Sequence, residues 1–428
     1  MGASEKTAAG VSTLPLLHLP QDILVEILSN LPAKSLVRFR CVSKFFYALV
    51  VDHGFGVMHR SLSLKLPSRA GILISISSRS SPAYYTINFS EQNAQRPGML
   101  QANRLAYLDS EPFLKGSLLR SSSDGLICLS KPNGDVVVCN VSTGQRISLP
   151  RIQFHSPHRP SICAQLGFNS QSKRYKVLMS TWMFARGKWS TSFEYKHWVL
   201  TVGVDKSWRE INYSPHPFEG YGSLIDSDAT SVYIDGFIYS YNWLTKADPP
   251  SFHIVAFEVG SESYSLIPFP AEVSLSQEYP LVGYLAPFRD KCRDLLRDFA
   301  LLQVDGGRLA IVFVRKIGHL SYMDVWTHLS YMDVWTWEIS KECWEKITMI
   351  IPLEESIDIP HRFLRYTTNH VGEIVLLCIN RERFSILICN LKSEVWRQFD
   401  VGGVEEFPTL CPEDVRIYRI MDNVFSLE

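Results

Sequence analysis

Two histidines three positions apart, His155 and His158 in Phe154-His-Ser-Pro-His-Arg-Pro160, are the nearest this 428-residue chain comes to a metal-ligand spacing. They lie in a polar, proline-rich stretch that reads as a loop rather than a ligand pair. No Walker phosphate loop, Gly-x-Ser-x-Gly elbow, His-Glu-x-x-His or Cys-x-x-Cys occurs, so no catalytic residue, metal or cofactor is expected. The charged run Arg289-Asp-Lys-Cys-Arg-Asp-Leu-Leu-Arg-Asp298 reads as a short amphipathic helix on the rim of a larger body, with Leu295 and Leu296 inward. Trp182 to Trp198 and Tyr213 to Tyr221 read as aromatic loops of the kind binding surfaces favour. Trp and Tyr equally fill gaps between sheets, so no substrate-binding residue is assigned among them. What the side chains offer is recognition, and its richest source lies near the amino end.

Residues 18–51 carry more apolar surface than so short a helical unit buries by itself. Pro20 and Pro32 sit where a helix tolerates a residue without an N–H, and each opens one. Asp22 and Glu26 favour the positive end of the first helix, and Ile23/Ile27 and Leu24/Leu28 form two apolar rows at i, i+4. One row can face a local core and the other is left over. After Pro32, Leu36 and Phe39 continue the pattern opposite Lys34, Arg38 and Arg40. Ser43 is the expected N-cap of a third helix bearing Phe45, Phe46, Leu49 and Val50. Each large side chain left in water forfeits about 1.5–3 kcal/mol of burial, which docking on another protein would recover.

The run Leu-Pro-x-Asp-Ile-Leu-x-Glu-Ile-Leu-x-x-Leu-Pro-x-Lys-Ser-Leu-x-Arg-Phe-Arg-x-Val-Ser-Lys from Leu19 to Lys44 resembles the F-box of plant F-box proteins. The resemblance implies binding to the Skp adaptor, and through it to the cullin, of an SCF ubiquitin ligase, with the rest of the chain selecting a target protein for ubiquitination. It implies an adaptor-binding set of Leu19, Pro20, Ile23, Ile27, Leu31, Pro32, Leu36, Val42 and Phe46. The chain departs from the family with Phe46 where Trp is usual and Asp52-His53 where Asp-Pro is usual. The first departure removes some contact area; the second alters only the exit from the helices.

Lys plus Arg and Asp plus Glu both number 43, so charge gives no argument for nucleic acid or an anionic membrane. No apolar run is long enough to span a bilayer, and the first residues lack a signal-peptide core. The nine cysteines are scattered and odd in number, which fits reduced thiols in cytoplasm or nucleus better than a disulfide framework. The expected organisation is a disordered leader over 1–13, an F-box of three helices over 14–60, and an all-β domain over 61–428.

Past residue 65, short runs rich in Val, Ile, Tyr, Phe and Trp alternate with Gly, Asp, Asn and Ser. One phrase recurs: strand residues, a small polar turn, then an aromatic or long side chain. It appears at Val138–Ile147, Val202–Ile211, Phe257–Leu266, Trp337–Ile347 and Cys389–Phe399, and Tyr84–Phe89 supplies a sixth unit. Asp124-Gly125, Asp235-Gly236, Asp305-Gly306-Gly307 and Gly372 mark a further turn in most units. Units near 50 residues with several strands each predict a six-unit, kelch-like β-propeller, with a β-sandwich as the alternative. The phrases also resemble the F-box-associated domain that follows plant F-boxes.

His319–Thr327 is repeated without change as His328–Thr336. Side chains alternate along a strand with period two, so an odd insertion of nine cannot lengthen one straight strand with the same core face. The second copy, continuous with Trp337, is expected to be the blade strand, and the first an extruded loop or an extra hairpin arm. The stretch Val57 to Leu66 is expected to join helices and β domain rigidly. The function this predicts is substrate receptor of an SCF ligase, with a scaffold lacking productive ligase coupling as the alternative and an enzyme on the same fold unsupported by any motif.

Overall fold

The computed structural model describes residues 19–77, 82–89, 98–109, 113, 117–131, 133–152, 161–184, 193–211, 231–244, 251–273, 299–316, 330–352, 364–379, 383–404 and 414–427. The leader, His155 and His158, the Arg289–Asp298 run, Tyr213–Tyr221 and the first copy of the tandem repeat lie outside them.

The helices of the amino-terminal unit are α1 (Gln21–Ser29), α2 (Ala33–Phe39), α3 (Lys44–Val51) and α4 (His53–Ser63). Pro20 and Pro32 stand immediately before α1 and α2, and the Ser43 hydroxyl accepts from the Phe46 N–H at 3.3 Å to cap α3. A fourth helix extends the three expected from the sequence. Asp52 caps it by accepting from the Phe55 N–H at 2.8 Å, and His53 takes the first helical position, where a proline would also fit. The segment expected to join the two parts is therefore the second half of α4 and the residues just after it.

The β domain is a six-blade propeller. Blades 2 to 5 each take four consecutive antiparallel strands: Leu118–Ser148, Ser161–Ile211, Val232–Pro268 and Phe299–Ile351. Blade 6 spans Leu364–Gly402 and gains a parallel fifth strand, Met99–Gln101, from the connection between two strands of blade 1, Pro82–Asn88 and Asn103–Arg104. Blade 1 combines Ala70–Ser77, Pro82–Asn88 and Asn103–Arg104 with Val415–Met421, which lies innermost and pairs Met421 with Ala70. The ring is thus shut by strands from both ends of the domain. Six apolar clusters fill the six gaps between neighbouring blades. Because each sheet is covered on both faces, central strands such as Val136–Asn140 and Ile374–Ile379 are buried throughout instead of alternating.

The recurring phrase is the hairpin between the third and outermost strands, and two interactions explain its composition. Asn140 and Asn390 each turn the chain by accepting, through the side-chain carbonyl, from the N–H groups two and three residues on. Trp208 and Trp344 donate from the indole N–H to the carbonyls of Pro150 and Pro268 in the preceding blade, at 2.5 and 2.7 Å. The Asp-Gly turns join the innermost strand to the second, with Asp124 and Gly125 at φ 51° and 83° and Asp235 and Gly236 at 43° and 96°. A Cβ on Gly125 would stand 2.1 Å from the Met421 carbonyl of the closing strand.

The second copy of the tandem repeat supplies the third strand of blade 5, Ser330–Glu338, paired on both sides. Its Met332 and Val334 are fully buried. Trp198, read from the sequence as the end of an aromatic loop, is buried between blades 2 and 3, because Arg174–Phe184 and Phe193–Thr201 form a long hairpin in which it packs inward.

Candidate functional site

Of the two apolar rows on α1, Leu24 and Leu28 are 7% and 3% exposed, whereas Ile23 and Ile27 are 46% and 48% exposed. The buried row meets Ala33, Leu36, Val50 and Phe55 in one small core; the other row faces solvent. Leu19, Pro20, Pro32 and Val42 are also exposed. Leu31 and Phe46 are half-buried against the same core, and Phe46 packs at 5.2 Å from the Phe39 ring and 5.5 Å from Phe45. Leu36 is 0% exposed and belongs to the core, not to the face. Its register on α2 puts it toward Leu24 and Val50, so it holds the helices together and offers no surface. Phe45 and Tyr47 on α3 add exposed aromatic area, with the Arg40 guanidinium 5.2 Å from the centre of the Tyr47 ring.

The helices are seated on the propeller by groups from both ends of the β domain. Arg69, just before blade 1, donates from Nη2 to the carbonyls of Ser29 and Leu31 at 2.8 and 3.2 Å, and from Nη1 to Ser63 Oγ at 3.0 Å. This cation meets the carboxyl end of α1, where the helix dipole favours it. Asp422, just after the closing strand, accepts from the Ala33 N–H at 2.5 Å and caps the opposite pole, the start of α2. His59 is fully buried between them, its Nε2 at 3.1 Å from the Leu31 carbonyl and its Nδ1 at 3.4 Å from Ser63 Oγ. A carbonyl only accepts, which assigns the proton to Nε2 and leaves Nδ1 to accept from Ser63. Burial, then the Arg69 cation, hold the His59 pKa below its ordinary value, and desolvation lowers that of Arg69.

Beyond Asp422 the chain runs along the join. Val424 completes the helical core, while Phe425 and Leu427 enter the cluster between blades 2 and 3. The Phe425 ring lies edge-on to Tyr175 at 4.9 Å and to His53 at 5.2 Å. On α4, Arg60 pairs with Asp124, donates from Nε to Tyr175 at 3.2 Å, and stands 3.7 Å over the Phe168 ring. Nearby carboxylate and hydrogen bonds outweigh the desolvation of Arg60 and push its pKa up; desolvation likewise raises that of Tyr175.

Arg60 and Leu64 also line one end of a cavity of about 130 Å³ on the propeller axis, shared with Tyr233, Asp235, Gln303 and Arg419. Arg419 donates to the Gln303 side-chain carbonyl at 2.8 Å. Among the described residues no three His, Cys, Asp or Glu side chains converge to hold a metal, and no described cysteine is bridged. No helix among them is long and apolar enough to cross a membrane.

The comparisons with known proteins match both parts. The F-box domain profile covers residues 16–58, and that of the F-box associated beta propeller domain covers residues 73–424. The chain belongs to the plant F-box proteins that carry an F-box-associated propeller. An Arabidopsis thaliana F-box protein is 24% identical over 92% of this chain and 88% of its own length. An Arabidopsis thaliana F-box/kelch-repeat protein is 25% identical over 90% and 86%. A third relative from that plant, 27% identical, aligns over 63% of this chain and 64% of its own. Among solved structures, apo AztD from Citrobacter koseri superposes with a TM-score of 0.38 at 10% identity, covering 82% of this chain and 98% of its own, which carries nothing on function.

In this F-box protein the sequence brings together the exposed set on α1 and around the α1–α2 junction. It misses Arg69, His59, Asp422 and Val424, which fix that junction. Asp422 and Ala33 are 389 positions apart, and no local pattern announces such a contact.

Proposed function

We propose that this chain is the substrate-recognition subunit of an SCF ubiquitin ligase. The observation that carries the reading is the exposed apolar row Ile23/Ile27, together with the exposed Leu19, Pro20, Pro32 and Val42, on a helical unit whose opposite row is buried inside. Such a surface on a soluble body is a protein-docking surface, and in an F-box the partner is a Skp-type adaptor, through which the cullin is reached. Leu31 and Phe46 contribute their open edges, and Leu36 supports the face from beneath. Phe46 fills its site against Phe39, so the missing indole narrows contact area without unseating α3.

The chain itself makes and breaks no bonds in this reading. It holds adaptor and client at a fixed separation and so raises the effective concentration of the client's lysines near the charged ubiquitin carrier. The rigid seam at Arg60, Arg69 and Asp422 serves that purpose, since a loose joint would dilute the advantage. The innermost-to-second turns of blades 2 and 4 and the third-to-outermost turn of blade 2 lie on the helix side, as the Arg60–Asp124 and Asn423–Ser142 contacts and the cavity lining show. We assign client binding to the opposite face, where second and third strands join and where the chain passes from blade to blade. Adaptor and client then occupy opposite sides. Changing Leu19 and Pro20 together to Ala abolishes adaptor pull-down while the propeller keeps its circular dichroism and melting; co-purification at the unaltered level refutes the assignment of that face.

A further inference from the structure

Arg69 and Asp422 lie far apart in sequence, yet each directly flanks one of the two strands that shut the ring. Arg69 precedes Ala70 and Asp422 follows Met421; Ala70 and Met421 are register partners, and the Asp422 N–H donates to the Arg69 carbonyl at 2.7 Å. Forming this last strand pair therefore sets a cation and an anion side by side at one place. That place is the α1–α2 junction. The guanidinium takes the Ser29 and Leu31 carbonyls at the end of α1, and the carboxylate takes the first N–H of α2. Val424, two residues on, fills the core beneath Leu24, Leu28 and Leu36. Leu31 and Pro32, which form the junction, belong to the exposed binding set. The helical unit thus receives both junction caps and one core side chain from residues that flank the strand pair closing the propeller.

We propose that Arg69 and Asp422 are positioning residues for the adaptor-binding face, and that the face takes its binding form only when the propeller ring is shut. The consequence is a completeness check: a chain with an open ring presents a loosened α1–α2 junction and does not load onto the ligase. This rests on the adaptor-binding reading above, and one of the two readouts below is independent of it.

The test uses the full chain, a purified Skp-type adaptor as probe, and the variants Asp422→Ala, Asp422→Asn, Val424→Ala and a chain ending at Met421. Binding is measured by calorimetry, and hydrogen exchange follows the amides of 33–39 against those of Ala70–Ser77 and Ile374–Ile379. Losing a helix cap predicts adaptor binding about fivefold weaker for Asp422→Ala. Exchange rises at the amides of 33–39 and stays unchanged in the two blade strands. Asn keeps a carbonyl acceptor for the Ala33 N–H, so Asp422→Asn restores most of the affinity. Val424→Ala and the shortened chain weaken binding further. Unaltered binding and exchange in Asp422→Ala and Val424→Ala overturn the proposal. So does exchange that rises equally in helices and blades, because that is general destabilisation. Should the unaltered protein itself fail to bind adaptor, the ligase reading falls, and the exchange pattern alone decides whether the residues that flank the closing strand pair set the junction.

Discussion

Arg60 is the place where the join between helices and propeller can be weighed. Its side chain and that of Asp124 are 10% and 12% exposed, and it also covers the Phe168 ring. Arg60→Met keeps the apolar stem but strands the carboxylate; breaking a buried pair from one side costs about 3–5 kcal/mol, and the lost cation–π contact adds up to about 2 kcal/mol. Unfolding entropy scales with length to roughly 0.9 kcal/mol per degree for a chain this size, so the melting temperature falls by about 3–8 °C. Asp124→Asn, which tolerates the left-handed backbone at φ 51°, leaves the guanidinium uncompensated and costs a similar amount. The double variant leaves neither member of the pair charged and recovers at least about 2 kcal/mol of the summed loss. Calorimetric melting of the four proteins measures the cycle. Strictly additive losses, with no recovery in the double variant, would refute the pairing as the fastening of α4.

Acidification supplies a second test. His53, His59 and His370 all have pKa values held below the ordinary 6.5, in each case chiefly by burial. The unfolded chain therefore binds more protons once pH falls below about 6.5, and stability declines from there toward the folded-state values. At His59 a second proton would sit on Nδ1, facing Ser63 and close to Arg69, so His59→Gln flattens the loss measured between pH 7 and pH 5. A Gly125→Ala variant, with φ at 83° and its new Cβ 2.1 Å from the Met421 carbonyl, prevents proper ring closure and appears as loss of the cooperative melt. In the tandem repeat, Val334→Asp buries a charge at a 0% exposed position and unfolds blade 5, whereas Val325→Asp, the same change in the first copy, leaves the melting temperature within a degree or so. Deleting either copy yields one and the same chain, with Ile317, Gly318, His328 and Leu329 between Lys316 and Ser330; the shorter connection stabilises by roughly 1 kcal/mol, and a large loss of stability contradicts redundancy.

What the sequence discloses is what short-range chemistry determines. The rows Ile23/Ile27 and Leu24/Leu28 follow from the helical period, though only the fold tells which is inside. Six blades are countable because the turn-and-aromatic phrase is local and recurs along the chain, with Asn140 and Asn390 turning two of its copies and Asp-Gly turns marking further units. Helix α4 is hidden because His53-Gly-Phe-Gly56 has poor helix propensity; Gly56 is there to let the backbone of Phe425 approach, where a Cβ would stand 3.2 Å from its Cα. The family pattern includes Leu36 in the adaptor-binding set and the fold buries it in the helical core, because a motif names positions, not which side of a helix is covered. Trp198 is misread because a long hairpin buried between blades carries no clean alternation. The Arg69–Asp422 pairing of poles is invisible from the sequence, since only ring closure brings those residues together.

The docking face is tested most directly by isothermal titration of a purified Skp-type adaptor into the full chain and into Ile23→Asp/Ile27→Asp. Both side chains point to solvent, so the substitutions leave the fold intact. One-to-one binding by the unaltered chain, reduced at least a hundredfold in the variant at an unchanged melting temperature, is the predicted result. Equal affinity for both proteins, or no heat with either, would contradict it.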